Sequence, residues 1–110
     1  MKKYIEIENK NRNATHLKIE TYYSVGGINY FTHKTEQRGY YLSVTPVERS
    51  AREGCRLEGF AAFSGIKICV LPVSRRSKKA EENAEKLAAD HEKELIDYVC
   101  NKNGLVLMEG

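Results

Sequence analysis

His16-Leu17-Lys18-Ile19-Glu20-Thr21-Tyr22-Tyr23-Ser24-Val25 alternates two kinds of side chain along its length. Leu17, Ile19, Thr21, Tyr23 and Val25 share one parity, and His16, Lys18, Glu20, Tyr22 and Ser24 share the other. Successive side chains of a strand point to opposite faces, so this stretch predicts a half-buried β-strand. Tyr23 is then a core ring and Tyr22 an outward one. Gly26-Gly27 comes next and suits the positive φ of a two-residue hairpin turn. Ile28 to Thr32 is the expected return strand, and His33 to Gly39 the next connection.

Outward from this hairpin, further strands are legible. Tyr4 to Glu8 alternates and reads as a short strand, and Asn9 to Asn13 reads as a polar turn. Tyr40 to Val47 is another strand, with Pro46 near its end because proline has no N–H for a ladder. Tyr40 shares parity with Leu42 and Val44, which leaves Tyr41 as the outward ring. Residues 48–55 read as a charged loop. Arg56 to Ala62 and Ile66 to Val73 read as a hairpin around Ser64-Gly65, placing residues 3–73 in a meander. Val44-Thr45-Pro46-Val47 echoes Val70-Leu71-Pro72-Val73. With one reversing strand between them, the two echoing strands would point the same way. Their basic ends, Arg49, Arg52, Arg75, Arg76, Lys78 and Lys79, would form one rim.

The C-terminal third changes period. Ala80, Ala84, Leu87, Ala88, His91, Leu95, Tyr98 and Val99 recur at three- and four-residue steps and predict a helix over 77–102. Ser77 suits the N-cap and Gly104 the left-handed position after the last turn. Leu105 to Met108 is a short apolar tail. A single domain spanning 1–110 follows, of α+β class. An antiparallel sheet of about five or six strands carries one long C-terminal helix on one face.

Composition limits what this domain does. The 110 residues carry a net charge of +3, divided as 15 Lys/Arg against 7 Asp/Glu in residues 1–79 and 3 against 8 beyond. Such polarity bears on partners and steering more than on fold. No apolar run approaches the length of a membrane span, and the acidic, alternating start does not resemble a signal peptide. A soluble cytoplasmic protein without membrane contact is expected. Cys55, Cys69 and Cys100 are widely spaced and read as reduced thiols.

Five of the seven tyrosines fall between Tyr22 and Tyr41. Exposed tyrosines mark contact surfaces, so Tyr22, Tyr30 and Tyr41 are candidate contact residues. Tyr23, Phe31 and Tyr40 suit a core. The basic rim is the second candidate, fitting phosphate or an acidic protein; its plainer reading is a solvated linker whose lysines pair with Glu81 and Glu82. His91 on the apolar stripe reads as a packing histidine. Cys-x-x-Cys, His-x-x-x-His and phosphate-loop spacings are absent, so neither metal nor cofactor is expected. Scattered histidines and cysteines offer no catalytic set, and a non-enzymatic role is expected.

Gly-Gly-Ile-Asn-Tyr-Phe-Thr at 26–32, Arg-Gly-Tyr-Tyr-Leu at 38–42, Thr-Pro-Val at 45–47 and Glu94 to Cys100 resemble small uncharacterised proteins on mobile elements of gut Firmicutes. The resemblance brings no catalytic motif. It implies a bacterial binding protein of such an element, and anti-CRISPR proteins, which block a Cas effector by binding it, belong to the same setting. The expected partner is a protein. The alternatives are a nucleic-acid-binding module, which uses the rim and the exposed tyrosines, and a homo-oligomer paired through an uncovered sheet face.

Overall fold

The computed structural model describes residues 1–8, 14–29, 33–52, 55–60 and 65–108, and the side chains of 29, 50–52 and 55–60 are left aside. Among the described residues seven strands precede one helix: β1 (Lys2–Glu6), β2 (His16–Ser24), β3 (Gly27–Asn29), β4 (Lys34–Glu36), β5 (Gly39–Arg52), β6 (Cys55–Phe60), β7 (Ile66–Leu71) and α1 (Lys78–Asn103). The α+β class expected from the sequence is correct. A five-stranded antiparallel sheet contains β1, β2, β5, β6 and β7, and β3 with β4 forms a separate two-stranded ribbon.

The sheet is built around β5. One edge of β5 pairs with β2 from Gly39 to Val47. Its other edge pairs with β7 over Tyr40–Val44 and with β6 over Val47–Arg52. β6 and β7 therefore run in the same direction, end to end along one partner. Two expectations are overturned. β6 and β7, which lie within the segments expected to form a hairpin, pair with β5 instead of with each other, and the strand of Tyr40 to Val47 is antiparallel to Ile66–Leu71; residues 61–64, where the turn was expected, lie outside the described residues. Residues 48–52, read as a loop, continue β5. The ladders with β2 and β7 satisfy both edges of the N-terminal half of β5, and β6 takes over one edge further on.

Register sorts the faces as the parity argument requires. Leu17 pairs with Pro46, Ile19 with Val44 and Thr21 with Leu42, and all six are buried. Val44 and Leu42 in turn pair with Ile66 and Ile68 of β7. This face receives α1. Ala84, Ala88, Leu95, Ile96 and Val99 are the buried helical residues, and Leu105 of the tail joins the same core. Ala84 and Ala88 let the helix approach the sheet closely. The stripe is narrower than expected and rotated. Leu87, His91 and Tyr98 are exposed, while Ile96 is inside. At the helix position midway between Ala88 and Ile96, Glu92 is ion-paired with Lys3 of β1.

The helix ends as its sequence dictates. Ser77 Oγ accepts from the Ala80 N–H at 3.0 Å, and Gly104 is left-handed at φ 66°. The tail is tied back: Ile7 bridges Leu107, and the Glu8 N–H donates to the Val106 carbonyl. No helix among the described residues is long and apolar enough to cross a membrane.

The expected hairpin at Gly26-Gly27 is also corrected. β2 does not fold back on β3; it pairs with β5, and the chain between them projects as the β3–β4 ribbon. Residues 30–32, including Tyr30, lie outside the described residues. Gly26 at φ 75° permits the turn into the ribbon, and a Cβ there would meet the Glu36 carbonyl oxygen at 2.7 Å. Val25, expected inside by parity, is 68% exposed because the strand has already ended.

Leu42→Ala is expected to cost about 2–5 kcal/mol in urea unfolding, since Leu42 is fully buried where β2, β5 and β7 meet. Gly26→Ala combines left-handed strain with a backbone clash and is expected to cost at least about 1–2 kcal/mol by the same assay.

Candidate interaction surface

The face of the sheet opposite α1 carries Tyr22 paired with Tyr41, Glu20 with Ser43 and Lys18 with Thr45. The rings of Tyr22 and Tyr41 stack at 6.0 Å with an interplanar angle of 20°. Tyr41 points to this face as predicted, yet it is only 7% exposed, which corrects its reading as an exposed contact ring. Three groups cover it. Tyr22 lies on the ring, the Tyr41 hydroxyl donates to the Gln37 carbonyl at 2.5 Å, and the Lys67 ammonium sits 5.6 Å from the Tyr41 centroid. Tyr22 itself is half-buried.

Lys67 also ties the ribbon down through Glu36 at 2.6 Å. That hydrogen bond holds the Lys67 pKa above its ordinary value against the opposing effect of burial. Burial, above all, raises the pKa of both Tyr22 and Tyr41; Lys67 opposes it at each ring. Beside the stack, Ser43 and Thr45 line a shallow groove of about 490 Å³ together with Lys18, Glu20 and Lys67. Charges of both signs meet there, with Lys18 and Glu20 at 4.0 Å.

At the far end of β5, Arg49 lies on the Tyr4 ring at 3.7 Å, and its N–H donates to Thr15 Oγ1. Arg52 ends the same strand, and its side chain falls outside the described ones. The other four rim residues are elsewhere. Leu71 at the end of β7 pairs with Tyr40 at the start of β5. Arg75, Arg76, Lys78 and Lys79 follow it, whereas Arg49 pairs with Glu58 of β6. Nine residue steps of extended chain separate Tyr40 from Arg49, about 30 Å. The single basic rim is thus overturned: the echoing strands are antiparallel, so their basic ends lie at opposite ends of the sheet.

The end that keeps Arg75, Arg76, Lys78 and Lys79 gains a residue that sequence reasoning passed over. Gly39 approaches β7 so closely that a Cβ would sit 2.5 Å from the Leu71 carbonyl oxygen, which brings Arg38 beside the β7–α1 linker. The linker itself is strapped to the tyrosines of the helix-side face. Tyr23 donates to the Ser74 carbonyl at 3.2 Å and Tyr40 to that of Ser77 at 3.4 Å. Arg76 stands over the Tyr23 ring at 5.8 Å. Tyr23 meets Tyr40 edge-on at 5.2 Å. The tyrosine doublets are therefore two cross-strand pairs, one on each face. Arg38 Nε donates to the Val25 carbonyl at 3.0 Å, fastening the ribbon's base.

Beneath the linker, a cavity of about 240 Å³ is lined by Thr21, Tyr23, Tyr40, Arg76, Glu81 and Glu85 among others. The Thr21 hydroxyl is buried there without a protein partner. The histidine expected to pack and the cysteines read as thiols stand apart from this cavity as far as they are described. His91 is exposed, 3.9 Å from Glu94, Cys100 is half-buried with its thiol pKa raised by burial, and the side chain of Cys55 is not described. Among the described residues no group of His, Cys, Asp and Glu could hold a metal ion. The chain matches no family model, no curated protein and no solved structure.

The tyrosines make alkaline pH a probe of this surface. A phenol whose folded pKa is raised contributes stability that is complete below its unfolded pKa of about 10 and is lost as pH rises through the folded value. Unfolding free energy is therefore expected to fall above about pH 10. Tyr41→Phe should flatten that fall while lowering stability at neutral pH, where the bond to Gln37 is lost. An unchanged alkaline slope would contradict the burial of Tyr41.

Proposed function

We propose that this protein is a non-enzymatic binding protein that docks a protein partner on the ribbon end of its sheet. One observation carries the reading: Val25 and Ile28 stand 68% and 63% exposed on and beside a projecting ribbon. Exposed aliphatic side chains on a braced element gain free energy when a partner removes them from water, at about 25 cal/mol per Å² of apolar area. The bracing reduces the ordering cost of that contact. Arg38 and Glu36 fasten the base of the ribbon, and the Tyr41 hydroxyl holds Gln37.

The same observation favours a protein over a nucleic acid. A phosphate backbone offers nothing apolar to cover Val25 and Ile28. Three of the rings beside cations are also engaged already, Tyr22 with Tyr41, Tyr23 with Tyr40, and Tyr4 beneath Arg49. Base stacking needs free ring faces. The resemblance to mobile-element proteins makes bacterial defence complexes, Cas effectors among them, the first partners to try.

Affinity capture from bacterial lysate, with and without nuclease treatment, tests the reading with three baits. Wild type should retain a protein species that V25D/I28D loses, while Tyr98→Ala, altered at an exposed site on the helix, should retain it. Retention by V25D/I28D, or a species that disappears with nuclease, would refute it.

A further inference from the structure

We infer that the partner is acidic as well as apolar at the contact: a protein segment in which carboxylates flank an aliphatic or aromatic anchor. This rests on the docking surface proposed above and names the chemistry of what it takes.

Six cations gather on this end of the molecule. Lys34 is on the ribbon, Arg38 at its base, Arg75 and Arg76 in the linker, and Lys78 and Lys79 open the helix. All six are exposed. Among the described residues none of them is in an ion pair. The acidic neighbour on the ribbon, Glu36, is taken by Lys67 at 2.6 Å. Arg38 spends only its Nε, on a backbone carbonyl, and Arg76 faces a ring. The arrangement also runs against the helix. Cations are disfavoured beside the first turn, because the helix macrodipole is positive there. Lys78 and Lys79 therefore give up local stability, and an anionic partner would recover it.

Against the six cations stand Glu81, Glu82 and Glu85 of the first helical turns, two of which line the cavity beside Arg76, so this end keeps an excess of positive charge. Such an excess steers an oppositely charged partner and raises the association rate, while burial of apolar groups holds the complex once formed. Val25 and Ile28 supply the second term within reach of the first. Among the described side chains, the opposite end shows no such combination. There Arg49 is committed to the Tyr4 ring, and the groove between the ends mixes lysines with glutamates.

The test uses fluorescently labelled probes and anisotropy. The first probe is a synthetic peptide of glutamates and aspartates interspersed with leucine and phenylalanine. The second is a peptide of the same charge without apolar residues. Single- and double-stranded DNA complete the set. The first peptide should bind at least about tenfold more tightly than the second. Its affinity should drop as salt rises from about 50 to about 200 mM, because screening shortens the reach of the patch. R75E/R76E/K78E/K79E and V25D/I28D should each weaken it by about tenfold or more. The double variant K78E/K79E separates lost binding from unfolding, because it should weaken the first peptide while staying folded. K78E/K79E alone places acids where the macrodipole favours them and should hold or raise the melting temperature, read by circular dichroism.

Failure of the first peptide to bind, or equal binding by the charge-reversed protein, overturns the inference. Tighter binding of DNA, indifferent to Val25 and Ile28, overturns it in favour of nucleic acid. The charge-reversed protein also separates the two claims in lysate. A captured protein that survives charge reversal but not V25D/I28D sinks the acidic partner and leaves the docking surface standing. Survival of both changes sinks both.

Discussion

The hydrogen bonding of β5 on both edges is the constraint from which the rest follows. A strand of fourteen residues receives β2 along its first nine and hands its other edge from β7 to β6 midway. Each pairing fixes a register, and each register fixes which side chains face the helix. Leu42 and Val44 are fully buried because their partners on both sides, Thr21 and Ile68 for one and Ile19 and Ile66 for the other, also face inward. The helix then has one apolar face to cover, and the other face stays open. A slip of one residue in either ladder would turn the core outward, so the fold tolerates few alternatives.

The same pairing decides where charge goes. Because β7 runs antiparallel to β5, the chain leaving β7 arrives beside the chain entering β5. The linker cations and Arg38 thus meet, although more than thirty residues of sequence separate them. Arg49 and Arg52, on the same strand as Tyr40, are carried to the far end. A chain with a modest net charge acquires in this way one end with an excess of cations, beside two exposed aliphatic residues. Electrostatic character here is a property of topology more than of composition.

Much of this was legible in the sequence, and the reasons for the rest are specific. Alternation in 16–24 gave the strand and its faces, and the caps Ser77 and Gly104 bounded the helix within a residue, because both signals are local. The face of Tyr41 was legible as well. Its burial was not, since the cover comes from Tyr22, Gln37 and Lys67, none of them its neighbours in sequence. Alternation says that a strand exists and which way its side chains point, without naming its partner. Hence β6 and β7, which look like two arms of a hairpin, could equally lie in line along one strand. The split of the basic rim follows from that single ambiguity. Arg38 carried no motif, and only the approach of Gly39 to Leu71 brings it to the linker.

Cross-strand nuclear Overhauser contacts in the labelled protein test this account most directly, since its topology places the interaction surface. Contacts of Leu42 with Ile68 and of Ser43 with Lys67 are predicted, alongside those of Glu20 with Ser43. Contacts of Ile66–Leu71 with Cys55–Phe60 in place of these would contradict it. They would restore a hairpin, free one edge of β5 and return the arginines of the two ends to a single rim.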